Sequence, residues 1–177
     1  MTLLDELLSI SSEEVQTWPL DQQQWYTHQV ERALALRSPA DFAQQHSHGS
    51  WRPFRHLVAT SDAIVGMIEH DDCDLLLIDQ PVRHGKSELS SKWTPAWFLM
   101  KYPEWPVLLS SYEAHYAGTW GGKVRDIVRE VGPEYGVKLR SDAKARNAWA
   151  LESGGGMNTA GAGGSITGRG GLLNLCI

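Results

Sequence analysis

The chain has 177 residues, of which 42% are hydrophobic and 21% charged, and its formal net charge is −5. These values are typical of a globular protein and argue against disordered, fibrous and membrane classes. The negative charge argues against a generally basic nucleic-acid coat, so any DNA contact is expected on one local face.

The sequence also indicates a compartment. No apolar run approaches the 18 or more residues that a membrane helix needs, and the N-terminus lacks the basic start of a signal peptide. We therefore predict a cytosolic protein. The spacing of Cys73 and Cys176 is not that of a metal or redox pair, so we expect two buried free thiols.

The first third of the chain is predicted to be helical. Residues 2–36 carry a leucine stripe at their start, and Ser11 with Glu14 provides a capping signal. A short helix is predicted over Pro39–Gln45. The Gly, Ser and Pro content of residues 46–54 is typical of a linker, so we divide the chain into a helical appendage, 1–48, and a main domain, 49–177.

The next elements predict an α/β fold. A helix over 56–69 is followed by the continuous apolar run Asp74–Asp79, which is typical of a strand buried on both faces of a parallel sheet. A helix over 86–100, with a kink or break at Pro95, then leads to a second buried strand over 106–112. Strand, helix and strand form a βαβ unit, which indicates a mainly parallel sheet flanked by helices.

The last third repeats this pattern. Residues 113–131 have helical spacing despite two central glycines, and 147–161 predict two short strands joined by a glycine-rich turn. A glycine-rich stretch, 162–171, precedes the apolar run 172–177, which predicts a core strand. The sequence given stops inside this predicted strand.

The candidate phosphate-binding residues lie between the first predicted strand and the helix that follows it. This segment ends Gly85-Lys86-Ser87, the end of a phosphate-binding loop, in which lysine neutralises phosphate oxygens and the serine hydroxyl binds Mg²⁺. The first glycine of the usual motif is replaced by Gln80. Arg83 adds a cation that could clamp phosphate oxygens with two hydrogen bonds or simply be an exposed loop arginine; we favour the clamp.

Three stretches together resemble a known family. QPVRHGKSE, VLLSSYEAHYAGTWGGKVRDIV and AGGSITGRGG followed by LLNLCI look like the ATPase region of phage large terminase subunits, the motors that package double-stranded DNA. The resemblance runs in order from about residue 38 to residue 177. The family's loop often reads PPRHGKS, without the first glycine and with the arginine, so the departure at Gln80 becomes a positive signal.

The resemblance implies a nucleotide-binding P-loop fold, a site for ATP and Mg²⁺, and roles for particular residues. Lys86, Arg83 and Arg169 would act in catalysis, with Arg169 reaching a neighbouring subunit, and the Ser87 hydroxyl would bind Mg²⁺. The nucleotide site would comprise Gln80, Pro81, Val82, Arg83, His84, Gly85, Lys86, Ser87 and Glu88. Residues 51–56 would border the adenine, and residues 110–112 would form a second motor motif.

The resemblance also implies binding partners and a chain that contains only part of the family's large subunit. The partners would be double-stranded DNA, the portal protein and the small terminase subunit. A ring of large subunits, docked on the procapsid in the host cytoplasm, would bind them, and no membrane would be involved. In the family, an acidic motif and a nuclease domain follow the last strand. We therefore expect an N-terminal piece of a larger subunit, which alone hydrolyses no appreciable ATP.

Three other functions stay open on the sequence. A small-molecule kinase and a helicase-like ATPase both join a phosphate loop to a parallel sheet. A truncated fragment that only binds or assembles is the third.

Overall fold

The computed structural model describes residues 3–70, 73–142, 145–162 and 175–177. The helices are α1 (Leu3–Leu8), α2 (Ser12–Gln16), α3 (Leu20–Ala35), α4 (Pro39–His46), α5 (Arg55–Glu69), α6 (Lys86–Glu88), α7 (Thr94–Lys101) and α8 (Ala114–Val131). The strands are β1 (Pro106–Ser111), β2 (Ala148–Ala150), β3 (Gly156–Gly161) and β4 (Leu175–Cys176). Within the described ranges, no helix is long and apolar enough to cross a membrane.

The four strands form one mixed sheet in the order β2-β3-β1-β4. β1 is parallel to both β3 and β4, and β2 runs antiparallel to β3. The connection from β1 to β3 contains α8, as a parallel pair requires. Helices flank the sheet, so the predicted α/β class is confirmed, and residues 147–161 form two short strands as predicted.

The N-terminal helical prediction is confirmed, and residues 3–35 form the three helices α1, α2 and α3. Ser11 caps α2 by accepting a hydrogen bond from the Glu14 amide at 3.1 Å, which confirms the predicted capping signal. Pro19 precedes α3, and a proline is tolerated at a helix start because the amide hydrogen that it lacks would have no partner within the helix. The leucine stripe therefore belongs only to α1.

α4 joins the hydrophobic core of the main body. Its bounds confirm the predicted short helix, and Phe42 on it is fully buried. The indole of Trp97 donates a hydrogen bond at 2.9 Å to the carbonyl of Leu36, just before this helix. Residues on both sides of the predicted boundary thus share one core, while the division at residue 48 stays a prediction.

The predicted strand Asp74–Asp79 is wrong. The segment belongs to no strand, and Leu75 and Leu77 are 82% and 89% exposed. No backbone hydrogen bond joins it to another residue that the structure describes. A strand needs a neighbouring strand that satisfies its amides and carbonyls, and none of the described residues provides one for this segment. The expected βαβ unit from this segment to β1 is therefore absent, and the parallel unit is β1-α8-β3.

The helix after the loop runs from Lys86 to Lys101 with one irregular turn. Residues Leu89–Trp93 are π-helical, and α7 resumes at Thr94. Pro95 lacks an amide hydrogen and cannot make the usual bond to the preceding turn. The predicted irregularity is confirmed, although it lies in the turn before Pro95.

The two cysteines correct another expectation. Cys73 and Cys176 are both free, as predicted, but both are exposed rather than buried. Cys176 lies on β4 at the edge of the sheet, and Cys73 opens the unpaired segment. Each is exposed because no described strand packs beside it.

Candidate functional site: the loop before α6

The segment between the extended run and α6 has an unusual backbone. Arg83 and Gly85 both adopt left-handed conformations, with φ of 64° and 84°. This region disfavours residues with a Cβ, so Arg83 is held there against its own preference. At Gly85 a Cβ would also lie 3.0 Å from the Leu57 side chain. The loop turns sharply at these two residues, and the helical run begins at Lys86.

Gln80, which stands in place of the usual first glycine, ties the start of the loop to α5. Its side-chain amide donates a hydrogen bond of 2.6 Å to the Thr60 hydroxyl. That hydroxyl donates in turn to the carbonyl of His56 at 2.8 Å. The Gln80 side chain therefore anchors the start of the loop to α5. A glycine at this position would supply only conformational freedom.

The same helix also holds the far end of the loop. Nε2 of His56 donates to the His84 carbonyl at 2.9 Å, and Nδ1 of His84 donates to the Val82 carbonyl at 2.9 Å. A carbonyl only accepts hydrogen bonds, so each of these ring nitrogens carries a hydrogen. The ring of Phe54 stacks on His56 at 6.0 Å between centroids. Sequence reasoning missed Thr60 entirely, because a threonine inside a helix carries no motif.

Two cations of the loop, Arg83 and Lys86, have no neutralising partner among the residues that the structure describes. Among the described residues, neither Arg83 nor Lys86 has a carboxylate within 4.0 Å. The Arg83 side chain is exposed, while Lys86 and Ser87 are half-buried and line a cavity of about 800 Å³. Uncompensated positive charge beside a cavity favours an anion.

The carboxylate of Glu88 points to other partners. It lies 3.0 Å from the ammonium of Lys92 and 3.8 Å from that of Lys123. Lys123 in turn sits 3.9 Å above the ring of Trp120 on α8. These contacts link α6 to α8, so the structure gives Glu88 a bridging position beside the loop.

The sequence-predicted residues are mostly brought together. Gln80 to Glu88 form one continuous loop and helix start, whereas Arg169 lies outside the described residues. Within the described ranges, no group of three or more His, Cys, Asp or Glu side chains could hold a metal. The Ser87 hydroxyl fits Mg²⁺ only as a single ligand, with nucleotide phosphates and water as the others, which is how Mg²⁺ is commonly bound.

The second predicted motif ends at an exposed aromatic residue. β1 finishes at Ser111, and Tyr112 beyond it is 76% exposed, with its ring 5.5 Å from that of Tyr116 on α8. Tyr116 contacts Trp120 edge to face at 6.1 Å. The end of β1 is thus joined by aromatic contacts to the helix that carries Lys123.

No family model, curated protein or solved structure matches this chain.

Proposed function

We propose that the loop from Gln80 to Glu88 binds the phosphates of ATP and that the chain is the ATP-binding part of a viral DNA-packaging motor, a large terminase subunit. The observation that carries the proposal is the loop itself. It is held at both ends by α5, turns through left-handed residues, and brings to the start of a helical run two cations that pair with no carboxylate in the described part of the chain.

Each loop residue has a distinct part in holding the nucleotide. The first amides of the helical run donate to phosphate oxygens, and the partial positive charge of the helix start favours the anion. Lys86 neutralises the β and γ oxygens, and Arg83 binds oxygens through its planar guanidinium. Mg²⁺ would neutralise phosphate charge, with the Ser87 hydroxyl as its protein ligand.

ATP turnover requires more than this loop. Hydrolysis by such sites commonly uses a carboxylate that orients water and an arginine that stabilises charge in the transition state. Arg169 is the proposed arginine, acting across a subunit interface in a ring. The proposed partners are double-stranded DNA, the portal protein and the small terminase subunit, in the host cytoplasm at the procapsid.

The motor proposal depends on the order of three motifs as well as on the loop. The arginine at position 83, the strand ending SSY and the glycine-rich stretch with Arg169 follow one another as in large terminase subunits. A kinase would instead need an acceptor pocket, and a helicase would need to separate strands.

The test measures whether bound DNA changes the affinity of the chain for ATP. A motor that couples nucleotide to duplex must change its ATP affinity when duplex binds, because coupling free energy is reciprocal. Titrating a fluorescent ATP analogue with and without a short blunt duplex should give different affinities, and single-stranded DNA should have a smaller effect. Equal affinities under all three conditions would contradict the motor. Transfer of phosphate to a small acceptor would support the kinase.

A further inference from the structure

The first three helices, up to residue 31, form an arm that carries negative charge. Residues 3–31 include six acidic side chains and no lysine or arginine. Within the arm, α1 packs against α3, where the Tyr26 hydroxyl donates to the Leu7 carbonyl at 2.8 Å. Near the end of α3 the Arg32 guanidinium lies 5.3 Å from the centroid of the Tyr135 ring, which joins the arm to the main body. We call residues 3–31 the acidic arm.

One face of the acidic arm carries an exposed indole next to a carboxylate. Trp25 is 61% exposed, and Asp21 lies four residues earlier on the same side of α3. Asp21 is exposed and has no basic group within 4.0 Å among the described residues. Leu20 is also exposed, but it points from another side of the helix. Tryptophan is enriched at the centres of protein interfaces, so the face with Trp25 is a candidate contact surface.

A cleft on the main body has the complementary properties. Its volume is about 450 Å³, which is enough for one indole side chain, and Val128 and Leu139 contribute apolar walls. Its basic lining residues are Arg129, Lys138 and Arg140. The acidic residue among the described residues that line it is Glu152. No described residue of the acidic arm lines this cleft, so the arm does not fill the cleft of its own chain. We call this space the basic cleft.

Lys138 is the cation of the basic cleft that is available to a new carboxylate. Arg140 already binds Asp142 through two hydrogen bonds of 3.0 and 2.7 Å. Lys138 is exposed and has no carboxylate within 4.0 Å among the described residues. Residues 123–146 contain seven lysines and arginines but four acidic residues, in a chain whose net charge is −5. The Arg140 amide also donates to the carbonyl of Ala150 on β2 at 3.0 Å, which fixes this wall to the sheet.

We propose that the basic cleft binds the acidic arm of a second copy of this chain. Trp25 would enter between the apolar walls, and Asp21 would pair with Lys138. Opposite charge on the two surfaces guides the approach, and the buried indole supplies most of the affinity. Because the two surfaces are different, each copy offers its arm to one neighbour and its cleft to another. The contact does not involve the loop from Gln80 to Glu88, and it stands whether or not that loop binds ATP.

The mass of the chain in solution tests the proposal. Sedimentation equilibrium should show association that increases with protein concentration and weakens as salt is raised. Trp25→Ser should weaken the association at least about tenfold. Leu20→Ser, a matched change on another side of the same helix, should leave it unchanged. Both residues are exposed, so both variants are expected to fold.

Two defective variants should complement each other. Trp25→Ser loses the arm contact but keeps its cleft, and Lys138→Glu loses the cleft contact but keeps its arm. A mixture of the two should form a dimer with one copy of each and nothing larger, because it contains one intact arm and one intact cleft. Asp21→Lys should also weaken association, and combining it with Lys138→Glu in one chain should restore association.

A cross-link in the unaltered chain does not depend on any variant folding. A carbodiimide joins a carboxylate to an amine that is in contact with it. Mixing chains of light and heavy isotopes distinguishes links between copies from links within one copy. We expect a link between Asp21 of one copy and Lys138 of another.

Four results would overturn the proposal. The first is a monomer at every concentration up to about 1 mM, together with no cross-link between copies. The second is an equal loss of association in Leu20→Ser and Trp25→Ser. The third is no dimer in the mixture of the two variants. The fourth is a monomeric chain that binds a short DNA duplex and loses it in Lys138→Glu, which would assign the cleft to nucleic acid.

Discussion

The two leucine-rich stretches of the chain have similar sequences and opposite environments. In β1, Leu108 and Leu109 are buried, and the strand has a parallel neighbour on each side. In the segment 74–79, Leu75 and Leu77 are largely exposed, and the backbone makes no hydrogen bond to the backbone of any described residue. The difference lies in the neighbours and not in the residues, so an apolar run becomes a strand only where another strand meets it.

The loop from Gln80 to Glu88 lies at the boundary between these two regions. Its first residues continue the unpaired segment, and its last residues begin the buried helical run that leads to α7. α5 holds the loop through Gln80 and His84, so the loop does not depend on the segment being paired. The geometry of the loop is therefore expected to survive although the segment before it lies outside the sheet.

The largest expected effect comes from one substitution made in each region. Leu109→Ala should lower the free energy of unfolding by about 2–5 kcal/mol, because it removes a buried side chain. Leu77→Ala should change it by no more than about 0.5 kcal/mol, since Leu77 already contacts water. Urea unfolding of both variants measures the difference. Similar losses in the two variants would mean that the segment is packed in solution.

Substitutions at two adjacent glycines of α8, inside the packed region, should differ in stability by a smaller amount. A Cβ at Gly121 would lie 2.5 Å from the backbone oxygen of Arg146, while one at Gly122 would meet only its flexible side chain at 3.4 Å. Gly121→Ala should therefore destabilise by about 1–3 kcal/mol. Gly122→Ala should be neutral or stabilise by up to about 1 kcal/mol, because alanine favours helices. Thermal unfolding with the opposite ranking would contradict this packing of α8.

Two substitutions at Arg83 test whether its left-handed backbone conformation is strained. Arg83→Gly and Arg83→Ala remove the same guanidinium, so they should weaken ATP binding equally. They should differ in stability, because alanine in the left-handed region costs about 1 kcal/mol more than glycine. Thermal unfolding should rank the glycine variant above the alanine variant. The reverse order would mean that residue 83 is not left-handed in solution.

The smallest expected effect is on the pH dependence of stability, and it arises where α4 contacts the turn after α8. Nε2 of His46 lies 2.8 Å from the Tyr135 hydroxyl, and burial lowers the pKa of His46, with Glu134 opposing that shift. The unfolded chain then binds the proton more readily, so His46 lowers stability as pH falls below its ordinary pKa of about 6.5.

His46→Gln isolates that titration from the others. Urea unfolding between about pH 7.5 and about pH 5.5 should show a smaller loss of stability for the variant than for the unaltered chain. Equal losses would show that His46 stays accessible to protons in the folded state.

The elements that the sequence predicted well are those whose pattern meets a partner in the fold. The spacing of Trp120, Val124 and Val131 predicts α8, and these side chains are buried. The Ser11 cap depends on residues only three positions apart, so it can be predicted without knowledge of the fold. Local pattern suffices where the interaction is local or where burial follows one face of a helix.

The errors share a physical cause. The run Asp74–Asp79 has the composition of a buried strand, but pairing is a property of two chains and is invisible in one stretch. The sequence predicts Gln80 as part of the nucleotide site but not its hydrogen bond to α5, because the partner Thr60 is 20 residues away. A motif gives residue types at fixed spacing, while the anchoring of the motif comes from elsewhere in the chain.

The central claim is that Lys86 binds the phosphates of ATP, and equilibrium titration with a fluorescent ATP analogue tests it most directly. Lys86→Ala should weaken binding by at least about tenfold, the loss expected for a hydrogen bond to a charged group. Lys92→Ala, which removes a lysine of the same helical run that pairs with Glu88, should leave the affinity within about twofold. Equal affinities for Lys86→Ala and the unaltered chain would contradict the account.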